Sequence, residues 1–93
     1  MESIKNKDTD ILMDIIIELK TKEDAYNFFL DVCTIKEIQD MAKRLKAAKL
    51  LNDGLSYGDI IKKVGISTAT LARVNKALKY GNGGYEKVIK NIK

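Results

Sequence analysis

The chain has 93 residues, 45% of them hydrophobic and 32% charged, with a formal net charge of +4. One cysteine and no histidine exclude an intramolecular disulfide and an ordinary zinc site built from one copy. The missing histidine also removes the usual base for a cysteine nucleophile. We therefore predict that the protein is not an enzyme and needs no metal or cofactor, and that Cys33 is a small buried hydrophobic residue.

The charge of the chain is unevenly distributed. Residues 1–31 carry four lysines against eight acidic side chains, a charge of −4, whereas residues 32–93 carry 13 basic against five acidic side chains, a charge of +8. A basic C-terminal part is typical of proteins that bind a polyanion, although lysine-rich surfaces also serve solubility. No apolar run approaches the roughly 20 residues that span a bilayer, and the N-terminus lacks a signal-peptide core, so we expect a cytoplasmic protein.

The first predicted helix begins near Thr9 or Asp10, either of which is a suitable N-cap, and runs to about Lys20. Most of its apolar residues follow one helical stripe, but Met13 and Ile17 lie off that stripe. A helix that is apolar on more than one face usually buries the second face against another element. The simplest candidate is a second subunit.

The next two helices have clear N-terminal signals. Thr21 is the predicted cap of a helix over residues 22–32, and Thr34 opens a capping box for a long helix over residues 35–53. Gly54 ends that long helix. The absence of proline and the helical spacing of the β-branched residues predict an all-α fold.

Residues 56–78 predict two short helices joined by a tight turn. Ser56 and Ser67 are the expected caps, Gly65 supplies the left-handed conformation at the end of the first helix, and Ile66 is the apolar residue between the helices. This is the pattern of a helix-turn-helix unit, whose second helix enters the major groove of DNA. An ordinary helical hairpin with a polar surface is the alternative.

The second helix of this unit starts with side chains that can contact base edges, namely Thr68, Ala69 and Thr70. Hydroxyls can bond to several bases, and Ala69 can contact a thymine methyl group. Six further residues are predicted to contact phosphates and set the register: Ser56, Tyr57, Lys62, Lys63, Arg73 and Lys76. Because so few groups can bond to bases, we expect modest or water-mediated specificity. A glycine-rich connection follows, and a last helix is predicted over residues 84–93.

Four segments carry a resemblance to a known family: residues 30–38, 41–45, 67–75 and 78–85. With them, residues 22–92 resemble the tryptophan repressor superfamily, and most closely its Trp-repressor-like YerC/YecD branch. The resemblance implies one domain of six helices over residues 1–93 and an intertwined homodimer formed through the helices of residues 9–55. It also implies DNA binding by paired helix-turn-helix units, about 34 Å apart on a palindromic site.

Members of this superfamily can bind tryptophan between the long helix and the recognition helix. The resemblance implies that Thr34, Arg44 and Arg73 match three positions of that ligand site. Two other positions differ, because Val74 stands where the family has a glycine and Ala77 where it has a serine. A valine side chain would occupy the space of the indole ring, so we predict that tryptophan is not the ligand and leave the effector unidentified.

Two hypotheses follow for the function. The first is a homodimeric, sequence-specific transcriptional regulator that binds double-stranded DNA and no membrane. The second is a helical protein-interaction module on the same scaffold, which would use its acidic N-terminal third and read no DNA.

Overall fold

The computed structural model describes residues 4–92, and the regular elements in that range are all helices. The six α-helices are α1 (Lys7–Glu18), α2 (Lys22–Val32), α3 (Ile35–Asn52), α4 (Tyr57–Ile60), α5 (Thr68–Tyr80) and α6 (Gly84–Ile89). A π-helical turn, Ile61–Gly65, continues α4. The predicted all-α class with six helices is therefore confirmed. The chain forms two compact units, Met1–Ile35 (the first unit) and Lys36–Lys93 (the second unit).

Helix α1 begins earlier than the sequence pattern predicted. Its N-cap is Asn6, whose side chain accepts the backbone N–H of Thr9 at 2.9 Å. In return, the Thr9 hydroxyl accepts the backbone N–H of Asn6 at 2.8 Å. This reciprocal capping box satisfies two N–H groups at once, so the predicted caps Thr9 and Asp10 were wrong and both lie inside the helix.

Helix α2 begins where it was predicted to begin. The Thr21 hydroxyl accepts the backbone N–H of Asp24 at 3.0 Å. The acidic residues Glu23 and Asp24 lie in the first turn, where their charge interacts favourably with the helix dipole. Within the described range, neither α1 nor α2 contains a buried residue. Cys33, predicted to be buried, is only half-buried at the C-terminal end of α2.

The second unit has a hydrophobic core of its own. Its buried residues come from α3, from the α4 segment and turn, from α5 and from α6: Ala47, Ala48, Ile60, Ile66, Leu71, Val74 and Ile89. Ala47 and Ala48 are fully buried, and their short side chains leave room for neighbouring helices to approach α3 closely. This core is what holds α4 and α5 in a fixed relation.

The helix-turn-helix segment has the predicted caps. The Ser56 hydroxyl accepts the backbone N–H of Asp59 at 3.2 Å, and the Ser67 hydroxyl accepts that of Thr70 at 3.1 Å. Gly65 has a φ of 74°, in the left-handed region that favours glycine. The local prediction for this segment is confirmed.

The C-terminal helix is shorter than predicted. Helix α6 ends at Ile89, because the N–H groups of Asn91 and Ile92 donate to carbonyls three residues back, at 3.0 Å each, and tighten the chain into a turn. The predicted helix over residues 84–93 is therefore wrong at its end, and residue 93 lies outside the described residues. Ile89 is nevertheless buried, and α6 packs against α5.

Candidate nucleic-acid interface

The start of α5 lies on the surface of the second unit and is supported from below by the core. Ile60 of α4 and Leu71 of α5 are fully buried, and Ile66 in the turn between them is 8% exposed. The apolar residue predicted to lie between the helices is thus part of the core. Because the two helices share buried side chains, the first turn of α5 is held rigidly while its outer face stays in solvent.

The three predicted base-reading residues have different surroundings. Thr68 and Ala69 are exposed at the N-terminus of α5. Thr70 is half-buried, and its hydroxyl accepts a hydrogen bond from the Ser67 hydroxyl at 2.9 Å. Thr68 and Ala69 are therefore the two exposed residues of this set.

The predicted phosphate-contacting residues lie on the surface of the second unit. Lys62 and Lys63 are exposed on the π-helical turn, and Lys76 is exposed one turn beyond Arg73 on α5. Ser56 is exposed although its hydroxyl caps α4, and Tyr57 is 37% exposed. A single turn of π-helix is rare and often occurs at functional positions. The sequence pattern gave no indication of it.

A cavity of about 450 Å³ lies between α3, α5 and α6. It brings together the two predicted pocket arginines, Arg44 and Arg73, whereas the third predicted residue, Thr34, belongs to the first unit. Val74 and Ala77, the positions that differ from the family pattern, also line the cavity. Its volume is within the range of about 300–1,000 Å³ that is typical of ligand pockets.

Two further lining residues of this cavity were missed from the sequence. They are Thr70, which was assigned to base reading alone, and Tyr85, which was not among the predicted site residues. The helical spacing of Tyr85 is the same for a pocket residue as for a core residue. In the structure Tyr85 is half-buried and also packs against the core. Only the packing of α6 against α5 brings it to the cavity.

A second, smaller cavity of about 210 Å³ lies between α3 and the beginning of α5. Its polar lining consists of Lys36, Asp40, Lys43 and Arg44 from α3, and of Ser67 and Thr70. We call this cavity the α3 groove. The Lys36 ammonium lies 2.7 Å from an Asp40 carboxylate oxygen, and this hydrogen bond holds the pKa of Asp40 below its usual value. The sequence pattern did not connect Lys43 with α5.

Comparison with known proteins identifies the family. Residues 7–93 match the family described as Trp repressor protein. The chain belongs to the Trp repressor family. The predicted resemblance is thereby confirmed. This is a family of repressors, which are regulators and not enzymes.

Relatives in this family match the chain along nearly its whole length. It is 42% identical over 93 residues to the uncharacterised protein YerC of Bacillus subtilis, covering 100% of this chain and 89% of that protein. It is 33% identical over 92 residues to a Trp operon repressor homolog of Chlamydia caviae, covering 98% of this chain and 90% of that protein. A crystal structure of a TrpR-like protein from Eubacterium eligens superposes with a TM-score of 0.94 at 42% identity, covering 99% of this chain and 95% of that chain.

Two other features are missing from the described part of the chain. Between residues 4 and 92, no three His, Cys, Asp or Glu side chains converge in a way that could hold a metal ion. None of the helices in this range is long and apolar enough to cross a membrane.

Proposed function

We propose that this Trp repressor family member is a homodimeric, sequence-specific DNA-binding transcriptional regulator that does not respond to tryptophan. The observation that carries the proposal is the start of α5. Thr68 and Ala69 are exposed on a helix whose N-terminus is capped by Ser67 and whose inner face is fixed by Leu71. A rigid helix end with small, open side chains suits insertion into the major groove.

Cationic side chains near this helix support binding to the phosphate backbone of DNA. Lys62, Lys63, Arg73 and Lys76 are exposed, and within this proposal they contact phosphates together with Ser56 and Tyr57. Phosphate contacts supply affinity and register, whereas Thr68, Ala69 and Thr70 supply the base contacts. Because this chemistry favours no single base strongly, specificity would come in part from water-mediated contacts and DNA shape.

The apolar surface of the first unit supports the homodimer. Several large hydrophobic side chains of α1 are exposed in the single chain, including Ile11 at 60%, Met13 at 51% and Ile17 at 79%. A helix that is apolar on more than one face usually buries the second face against another element. A second copy of this chain would cover them and bring two copies of α5 to one side of a palindromic site.

The 450 Å³ cavity is the proposed effector site. Arg44 and Arg73 give it two guanidinium groups, which bind carboxylates and phosphates through paired hydrogen bonds. Val74 is 2% exposed, and its side chain occupies volume that a glycine would leave open. We therefore expect an anionic effector without a large aromatic ring.

The experiment that tests the proposal is selection of bound sequences from a random DNA pool at fixed, near-physiological salt. We expect an enriched palindrome, because two copies of α5 related by two-fold symmetry read two half-sites. A parallel selection with a metabolite mixture would reveal an effector if enrichment changes. Failure to enrich any sequence, with retention lost as salt rises, would contradict the proposal and favour the protein-interaction module.

Variants of the π-turn lysines test the phosphate assignment. We expect Lys62→Gln and Lys63→Gln each to weaken binding to the selected palindrome and to random duplex alike, and to flatten the salt dependence. Lys22→Gln, an exposed lysine at the start of α2, removes the same charge from the first unit and is the matched control. Loss of binding to the palindrome alone would overturn the assignment of Lys62 and Lys63 to phosphates.

A further inference from the structure

The α3 groove collects positive charge beside the recognition helix. Lys36, Asp40, Lys43 and Arg44 are separated by four, three and one positions, a spacing that places them on one face of α3. The groove therefore contains three cations and a single carboxylate. Lys36 forms an ion pair with that carboxylate at 2.7 Å, so the net positive charge of the groove comes from Lys43 and Arg44.

The groove adjoins the residues proposed to read bases. Ser67 and Thr70, which line it on the α5 side, flank Thr68 and Ala69 in the chain. Their hydroxyls are hydrogen-bonded to each other at 2.9 Å, which fixes both side chains at the edge of the groove. A DNA strand whose bases contact Thr68 would therefore carry its phosphates past this edge.

The size of the groove favours one charged group over a whole ligand. Its volume of about 210 Å³ is below the roughly 300 Å³ at which pockets for complete small molecules begin. The neighbouring 450 Å³ cavity is larger and shares Arg44 and Thr70 with it. Two cations and two hydroxyls around a small opening match the charge and the acceptor oxygens of a phosphodiester.

We infer that the α3 groove binds a backbone phosphate of double-stranded DNA next to the bases read by α5, with Lys43 and Arg44 as its cationic contacts. This inference rests on the proposed function. It extends the DNA-binding surface from the helix-turn-helix segment onto the long helix α3. It also gives Lys43 a specific role that its neighbour Lys46 does not share, because Lys46 does not line the groove.

The test compares Lys43→Gln with Lys46→Gln, which removes the same charge from an exposed position of the same helix. DNA binding is measured by fluorescence anisotropy on the selected palindrome and on random duplex across a salt series. We expect Lys43→Gln to reduce the slope of log K against log salt by about 1.8 for the dimer, because each of its two copies loses one phosphate contact worth about 0.9. Over a roughly fourfold increase in salt, the wild-type dimer should then lose about 12-fold more affinity than the variant. Lys46→Gln should change the slope much less.

A second variant tests the charge of the groove, and a modified DNA tests which phosphate it binds. Asp40→Asn removes the carboxylate of the groove, so it should tighten DNA binding. Replacing single phosphates by neutral methylphosphonates should weaken wild-type binding at one position beside the α5 contacts, and Lys43→Gln should be insensitive at that position. Equal slopes for Lys43→Gln and Lys46→Gln, or no such position in the duplex, would overturn the inference.

The remaining outcomes separate this inference from the proposed function. If the wild type binds DNA and the Lys62 and Lys63 variants weaken it, but Lys43→Gln behaves like Lys46→Gln, then only the inference fails. If the wild type binds no DNA, both fail. Saturation of the groove by millimolar inorganic phosphate, followed by amide chemical shifts of Lys43 and Thr70, with no loss of DNA affinity at the same phosphate concentration, would indicate a small-anion site apart from the DNA surface and would overturn the assignment to DNA.

Discussion

The two units of the chain use similar amphipathic helices with opposite results. In the second unit, apolar side chains from α3, α4, α5 and α6 converge, and residues such as Ile60 and Leu71 become fully buried. In the first unit, α1 and α2 are as well capped, yet neither contains a buried residue in the range that the structure describes. Helical periodicity therefore predicts which residues need to be covered, but not whether the same copy of the chain covers them.

This difference has a functional meaning in our proposal. The second unit holds the proposed recognition helix rigidly, because its core fixes α5. The first unit offers an apolar surface, which we assign to a second copy. The following changes test this division of roles, from the largest expected effect to the smallest.

The largest effect is expected from a charge on the apolar surface of the first unit. Ile15 is 41% exposed in the single chain, so Ile15→Lys would be nearly neutral if that surface faced water. In a dimer it would place a charge in a dry interface, at a cost of several kcal/mol. We expect the dimer dissociation constant, measured by sedimentation equilibrium, to rise by at least about 100-fold.

Glu18→Gln changes the net charge by the same amount at the exposed end of α1 and serves as the control. It should leave the dimer intact. A monomeric wild type, or an Ile15→Lys variant that sediments as the wild type does, would break the comparison between the two units.

The next effect concerns the core of the second unit. Leu71 is fully buried, so Leu71→Ala should lower the free energy of unfolding by about 3 kcal/mol through lost burial and a residual cavity. Urea unfolding followed by circular dichroism measures it. The exposed neighbour Ala72 gives a matched control, since Ala72→Ser should change stability by about 0.5 kcal/mol or less. A loss below about 1 kcal/mol for Leu71→Ala would contradict a tightly packed core.

A smaller effect is expected at the end of α5. A Cβ atom added at Gly81 would collide with the backbone carbonyl oxygen of Ala77, so the chain would have to shift. We expect Gly81→Ala to cost about 2 kcal/mol of unfolding free energy. Gly84 has open space around its Cβ position, and Gly84→Ala should be neutral or slightly stabilising. Thermal unfolding of both variants decides the point, and equal melting temperatures would argue against the steric role of Gly81.

The smallest effects compare the same capping chemistry in the two units. Thr21→Ala and Ser67→Ala each remove a side-chain acceptor from a helix N-terminus and should each cost about 1 kcal/mol. Hydrogen exchange should show the loosened first turn in α2 or in α5. Only Ser67→Ala should also weaken DNA binding, because only α5 carries the proposed base contacts. Equal effects of the two variants on DNA affinity would contradict the assignment of reading to the second unit.

Much of the fold follows from local signals in the sequence. The caps Thr21, Ser56 and Ser67 and the left-handed Gly65 were predicted, because each depends on one residue and its nearest neighbours. The start of α1 was wrong, since Asn6 and Thr9 form a reciprocal capping box that competes with a cap at Thr9 itself. The end of α6 was wrong for a similar reason, because a tight turn competes with one more helical turn.

The sequence alone established the all-α class, the helix-turn-helix segment and the family, because these depend on periodicity, capping residues and specific short motifs. The cavity that joins Arg44 to Arg73, the presence of Tyr85 beside it and the α3 groove required the tertiary structure. These features join residues that are far apart in the chain, and their neighbourhood depends on how α3, α5 and α6 pack. Side-chain packing is set by the summed shape of the whole core, which no local sequence pattern encodes.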